Sequence, residues 1–274
     1  MNGFSQLGAQ LYCRGGSRTI PKVEALAVVA HSDDAEILAV EGIIRSWTNN
    51  EKFGVLVVND GVGRPRAPAY EPYTDSDMAD LRIREQFAAA RAGDYALALA
   101  LGHPSSSTKG QRSTIVTDEI MEVIERTKPR VVYTHNPWDE HPSHIAVMQH
   151  YLWAQRKASH QPERLFGGEV WGPIDRIPEP YLVRWDCSGH EERLEELLTY
   201  FASQNAIKAY NRAVMSRRQA LAKLNDPHVT LQATAIHLGV DLTSVLNGEI
   251  TLRKLIDRCD EIEHTRRIAR FVEE

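Results

Sequence analysis

Three short apolar runs, each giving way to polar residues, constrain this chain more than anything else in it. Residues 23–30 read VEALAVVA, 53–58 read FGVLVV and 130–133 read RVVY. None carries the stripe that a 3.6-residue period gives an amphipathic helix, so each predicts a strand buried on both faces, as in a parallel sheet. His31 follows the first run, Asn59, Asp60 and Gly61 the second, and Thr134 and His135 the third. Helices are predicted between them over 36–47, over 76–92 behind the capping residues Asp75 and Ser76, and over 117–126 with Ile120, Val123 and Ile124 apolar. Strands alternating with helices build βαβ units, which predicts an α/β fold with a mainly parallel sheet. Ligands gather beyond the carboxyl ends of such strands, where His31, Asn59 and His135 fall.

After residue 158 the pattern changes. Residues 161–180 read as a Pro- and Gly-rich loop and 181–185 as a further strand. Helices are predicted over 190–201, 205–224 and 252–271, with a break at 225–227. The expected division is a domain over 1–224 and a mainly helical extension over 225–274. The extension would pack on the core or on another copy of the chain, which leaves a homo-oligomer open. A length of 274 residues buries enough surface to need no disulfide staple. Cys13, Cys187 and Cys259 are too few and too scattered for one. A formal charge of -5 argues against nucleic-acid binding by bulk electrostatics, leaving only a local basic groove open. The first 16 residues lack the charged start and apolar run of a signal peptide, and no apolar stretch is long enough for a membrane span. A cytoplasmic protein with neither a nucleic-acid nor a membrane partner is expected.

Chemistry concentrates in two segments. The first is Ala30-His31-Ser32-Asp33-Asp34-Ala35-Glu36, at the end of the first strand. An imidazole and one carboxylate there can bind a divalent metal while the neighbouring carboxylate stays free as a base. The same residues also suit a helix N-cap. The second segment is His135-Asn136-Pro137-Trp138-Asp139-Glu140-His141-Pro142-Ser143-His144. Its histidines and carboxylates need partners once desolvated, unless they lie in a polar surface loop. Both segments reach the same sheet edge, so together they supply His31, Asp34 and one further histidine, with a coordination position left open. That is the makeup of a catalytic zinc site; structural zinc is more often closed by four cysteine-rich ligands.

At these residues the chain resembles the LmbE-like family, also called the PIG-L deacetylases. These are zinc-dependent enzymes that remove N-acetyl groups from glucosamine-containing compounds, with motifs A-H-P-D-D and H-P-D-H. Here the motifs read Ala30-His31-Ser32-Asp33-Asp34 and His141-Pro142-Ser143-His144. The resemblance covers roughly residues 23–204, including Arg82-x-x-Glu85 and the Ser203-Gln204 pair. It implies a Rossmann-like fold, one zinc ion per chain held by His31, Asp34 and His144, and Asp33 as general base. It also implies that His141 polarises the amide carbonyl or assists the leaving amine, and it makes Arg82 a candidate for contacts to sugar hydroxyls or phosphate. The partner would be a small acetamidosugar or glycosylated metabolite.

The chain departs from the pattern at several positions. Ser32 stands for the usual proline and loosens the backbone between ligand and base. Ser143 stands for the aspartate that pairs with the first histidine of H-P-D-H, and it offers His141 only a neutral hydrogen bond. Asp139 is therefore expected to orient a site histidine in its place, with Glu140 the lesser substitute. Val40 and Glu41 occupy the place of a usual glycine pair, so the packing of that helix is expected to differ. Trp138 and Trp171 are candidates to stack on a sugar ring, and Arg64 and Arg66 lie in a loop that could reach an anionic substrate. The reading is metal-assisted amide hydrolysis. The alternative is a metal-binding, ligand-sensing protein with weak or lost deacetylase activity. A dinucleotide-binding protein is disfavoured because no G-x-G-x-x-G follows Ala30.

Overall fold

The computed structural model describes residues 9–63, 65–109, 112–224 and 232–272, with side chains to residue 265. Arg64 and the break expected at 225–227 lie outside the described residues, as do the first eight residues of the chain.

In chain order the elements are β1 (Gln10–Cys13), β2 (Ala25–Val29), α1 (Asp34–Leu38), α2 (Val40–Thr48), β3 (Phe53–Asn59), α3 (Asp75–Ala92) and β4 (Leu97–His103). Then come α4 (Ser105–Thr108), α5 (Thr114–Thr127), β5 (Val131–His135), α6 (Pro142–Gln155), β6 (Arg164–Gly168) and β7 (Leu182–Asp186). The chain continues through α7 (Glu191–Thr199), α8 (Ala202–Lys208), α9 (Tyr210–Leu224), β8 (Ile236–Asp241), α10 (Thr243–Leu246) and α11 (Leu252–Val272).

The strands form one sheet in the order β1-β4-β3-β2-β5-β6-β8-β7. The five strands from β4 to β6 are parallel, while β1 and β8 pair antiparallel to their inner neighbours. All five residues of β2 are buried, as its unbroken apolar run requires. Leu26, Val28 and Ala30 join one core cluster with α5 and α6, and Ala25, Ala27 and Val29 join another with α1, α2 and α3. Helices therefore cover both faces. From β2 the chain runs outward through β3 to β4, then returns to β5 on the other side of β2. That reversal opens a crevice at the carboxyl ends of β2 and β5, the usual ligand position in a sheet of this kind.

Several elements differ from the sequence reading. The helix expected over 36–47 is two helices, broken at Ala39 (φ −107°, ψ 31°). The buried Arg218 donates from one Nη2 to the carbonyls of Glu36 and Ile37, 3.0 Å from each, so the end of α1 is satisfied without helix continuation. In α2 the close approach falls to Gly42, where a Cβ would lie 2.7 Å from the Tyr133 ring. The cap of α3 is Thr74, reciprocally paired with Asp77, and neither Asp75 nor Ser76. The expected boundary at residue 224 runs through a single sheet, because β8 inserts between β6 and β7. Leu255 and Cys259 of α11 then pack into the core. No helix of the described residues is long and apolar enough to cross a membrane. The three cysteines are free and buried.

Candidate active site

The crevice gathers four side chains. His31 lies in the turn after β2, Asp34 opens α1, His135 ends β5 and His144 sits in the first turn of α6. Asp34 Oδ2 accepts the backbone N–H of His31 at 2.7 Å and lies 3.2 Å from His31 Nδ1. It is also 3.4 Å from His144 Nε2, and that nitrogen is 3.3 Å from His31 Nδ1. Three donor atoms thus form a triangle with edges of 3.2 to 3.4 Å, all on side chains at most 3% exposed. Ligands at about 2.0–2.1 Å from a tetrahedral zinc stand about 3.4 Å apart, so the triangle matches one face of such a site. Two imidazoles and a carboxylate, with no thiolate, are also the donor set of open catalytic zinc. The residues present fit the ion that the resemblance implies.

His135 was legible as the end of a strand, but no sequence signal gave its role. Its Nε2 is 3.5 Å from Asp34 Oδ2 and accepts the Ala30 N–H at 2.9 Å, which leaves the proton of the neutral ring on Nδ1. Burial, with the His144 imidazole next to it, holds His135 well below the usual histidine range. Its ring stacks on His144 with centroids 3.9 Å apart, so it backs the triangle while its own lone pair is committed to the backbone.

Asp139 meets a different histidine from the one it was expected to support. Its Oδ2 lies 3.0 Å from His144 Nδ1, whereas toward His141 it accepts only the backbone N–H, at 2.8 Å through Oδ1. The reason is local: an Asx turn over 139–141 aims the free oxygen inward, where it also accepts the Trp171 N–H at 3.2 Å. A proton held on His144 Nδ1 leaves the Nε2 lone pair facing Asp34 and His31. Burial pushes the Asp139 carboxyl up to about 7, against the two backbone donors.

The His141 ring takes its support from the backbone as well. Its Nδ1 accepts the Ser143 N–H at 3.2 Å, capping α6, while the buried Ser143 hydroxyl has no hydrogen-bond partner among the described residues. The hydroxyl support expected from Ser143 is therefore replaced by its amide. With Nδ1 an acceptor, the neutral ring carries its proton on Nε2. His141 stacks on His144 with centroids 4.6 Å apart and borders a chamber of about 330 Å³ with Trp171, Gln204, Lys208 and Tyr210.

Asp33 is buried at φ 87°, ψ −27°, a left-handed conformation that costs a non-glycine residue about 1–3 kcal/mol and concentrates at functional turns. The turn is held from both sides, contrary to the loosening expected from Ser32. Gln204 Nε2 donates to the Ser32 carbonyl at 2.5 Å, and Gln86 Oε1 accepts the Asp33 N–H at 3.4 Å. Gln86 is fixed in turn by Glu36 at 2.9 Å, whose carboxyl burial pushes up to about 7. Ser203 donates its N–H and hydroxyl to Glu85 at 2.7 and 2.6 Å, fastening α8 to α3. Glu85 of Arg82-x-x-Glu85 and the Ser203-Gln204 pair, far apart in the sequence, thus support one turn.

Arg82 is only 2% exposed, so it is not a surface ion-pair residue. Its guanidinium lies against Gly61 at the end of β3, where a Cβ would be 3.1 Å from Nη1, and it opposes the upward shift that burial gives Asp60. Arg66 is tied into its own loop by Asp75 and the Tyr73 carbonyl. Trp138 packs on the core, while Trp171 borders the chamber.

Residues 26–154 match the family profile described as GlcNAc-PI de-N-acetylase, PIG-L. No curated protein matches the chain in sequence. Among solved structures, a conserved protein from Thermus thermophilus is 20% identical with a TM-score of 0.60, over 80% of this chain and 94% of that one. The 4-carboxy-2-hydroxymuconate hydratase GalB from Pseudomonas putida is 18% identical with a TM-score of 0.61, over 79% and 94%. The N,N′-diacetylchitobiose deacetylase from Pyrococcus horikoshii is 13% identical with a TM-score of 0.60, over 79% and 84%. At such identities these likenesses establish the fold, an α/β sandwich with a mainly parallel sheet. Residues 26–154, a little under half of the chain, form a PIG-L (LmbE-like) domain.

Proposed function

We propose that this protein is a zinc-dependent hydrolase that removes the acetyl group from an N-acetylglucosamine-type sugar or glycosylated metabolite. The observation that carries the reading is the donor triangle of His31, Asp34 and His144, with His141 beside it at the mouth of a chamber. The match of residues 26–154 to the PIG-L family supports the reaction class, and a chitobiose deacetylase of the same fold supports the substrate class. Zinc held by the triangle would supply Lewis-acid polarisation and make water a better nucleophile at neutral pH. Asp33 would accept the proton of the attacking water. His141 Nε2–H would donate to the acetamide carbonyl as negative charge develops there, and then to the departing amine. Asp139 would hold the His144 ring in the binding tautomer. Arg82 would contact sugar hydroxyls beyond β3. Acetate and a free amine result.

The same fold also carries a hydratase, so the fold alone does not choose the reaction. Elemental analysis of the purified chain, with acetate assayed after incubation with N-acetylglucosamine glycosides, tests the reading. About one zinc per chain and stoichiometric acetate and amine are expected. Zinc and tight sugar binding without acetate release would replace hydrolysis with the ligand-sensing alternative.

A further inference from the structure

Arg218 of α9 is a fully buried cation that the proposed reaction does not use. Burial pushes its pKa down only to about 10, so it is charged at neutral pH. A charge taken out of water is costly unless a counter-ion or hydrogen bonds receive it. Among the described residues no carboxylate pairs with this guanidinium. Its Nη1 meets the Met215 Sδ at 3.4 Å, and the Cys187 thiol near it, pushed up to about 11 by burial, is neutral. What receives the charge is backbone: Nη2 donates to the carbonyls of Glu36 and Ile37, 3.0 Å from each.

Those carbonyls belong to α1, the helix that opens with Asp34. Five residues are far too few for a helix to be stable by itself, and a longer helix would satisfy these carbonyls with its next turn. Here α1 breaks at Ala39, so Arg218 supplies the donors and sets a positive charge against the negative end of the helix. The next carbonyl is seated as closely, because a Cβ on Gly168 of β6 would collide with the Leu38 oxygen. With that end fixed, the other end places Asp34 Oδ2 against His31 and His144. Metal–ligand distances are held to within about 0.2 Å, so even a small slide of α1 along its axis misplaces the carboxylate.

We propose that Arg218 is a positioning residue for the metal centre, holding Asp34 in the donor triangle by gripping the carboxyl end of α1. The proposal rests on the metal half of the reading above and not on the reaction. Arg218→Met removes the charge and the donors but keeps a long side chain beside the apolar cluster of Ile37, Leu198 and Met215. Exchange of a buried charge for an apolar side chain of similar size is often neutral for the fold, so the melting curve should stay near that of the wild type. Chelator competition on the full chain is expected to show zinc bound about 10- to 100-fold more weakly, the loss usual when a group behind a ligand is removed. The visible spectrum of the cobalt-substituted protein should change with it. Arg218→Lys, which keeps a cationic donor, is expected to restore most of both. Should Arg218→Met fail to fold, Arg218→Gln takes its place as the neutral variant. Wild-type zinc affinity and cobalt spectrum in the neutral variant, or a loss that lysine does not restore, overturns the proposal and leaves the metal reading intact. Failure of the wild type itself to bind zinc removes the metal reading, and this proposal with it.

Discussion

Asp33 and Asp34 are neighbours in sequence, yet the backbone gives them different work. Asp34 begins α1 and meets both His31 and His144, while Asp33 sits one residue earlier at positive φ, outside the donor triangle. Asp34→Asn should therefore release metal first, whereas Asp33→Asn should retain metal and lose about 10²- to 10⁴-fold in kcat, the range for a general base. Metal content and acetate release on the same preparations separate the two; full kcat in Asp33→Asn would remove it as the base. Asp139 differs because its carboxylate acts through the His144 ring. Asp139→Asn should weaken metal affinity about 10- to 100-fold by competition with a chelator, the usual loss when the partner of a ligating histidine is removed. Retention of wild-type affinity would confine Asp139 to its turn. His237 gives a readout away from the metal. Burial and the Arg218 and Arg217 cations hold its pKa well below the usual 6.5, so below that pH the unfolded chain binds a proton that the folded chain refuses. The stability from this group is complete above pH 6.5 and lost as pH falls through it, with a slope of up to about 1.4 kcal/mol per pH unit. His237→Gln should flatten urea-derived stability between about pH 6.5 and 5 by part of that slope, and parallel curves would rule the role out. The histidines and carboxylates of this site were legible because they cluster at two strand ends. Which oxygen meets which nitrogen was not, since a turn of two residues sent Asp139 to His144.

At the scale of elements, what could be read from sequence followed from how strongly composition and tertiary position agreed. β2 is an all-apolar run, and β3 and β5 are apolar up to their polar ends, all at buried central positions, so pattern and environment point the same way. β4 reads LALALGH, a string of good helix formers, and its strand form comes from its place between β1 and β3. β6 (RLFGG) and β8 (IHLGVD) carry glycines that weaken any local strand signal, and they too are set by pairing. Helix breaks were hidden for a related reason. Ala39 and Ala209 end helices inside runs of ordinary helix formers, Ala209 at φ 48°. The break between α8 and α9 lets α8 present Ser203 to Glu85 and Gln204 to Ser32, while α9 sends Arg218 to the end of α1. Those long-range contacts lie 118 to 182 residues apart, beyond any local pattern. They fix the turn that carries Asp33, so the positioning of the candidate base was the least legible part of the site.

For the whole molecule, the decisive feature is that the chain crosses back into its own sheet near its end. Among the described residues β7 is hydrogen-bonded only to β8, and β8 is also the outer neighbour of β6. A chain ending at residue 224 would thus keep β7 with no ladder partner and leave β6 as a bare edge over its buried Leu165 and Phe166. It would also lose Leu238, Val240, Leu242, Val245 and Leu255 from the interior. At about 1.5–3 kcal/mol for each buried aliphatic side chain, that removes roughly 7–15 kcal/mol. A domain's entire stability is only about 5–15 kcal/mol, so the loss is of the same size as the whole. The site would share the damage: Glu169, next after β6, donates its N–H to Leu238 of β8 at 3.0 Å and leads into the loop that presents Trp171 to Asp139. The full chain is therefore expected to unfold in one cooperative transition, while the chain ending at 224 should be insoluble or show no cooperative melt by circular dichroism. A soluble 1–224 chain with a sharp melt and bound zinc would show instead that the last fifty residues are an appendage, and that the sheet is complete without β8.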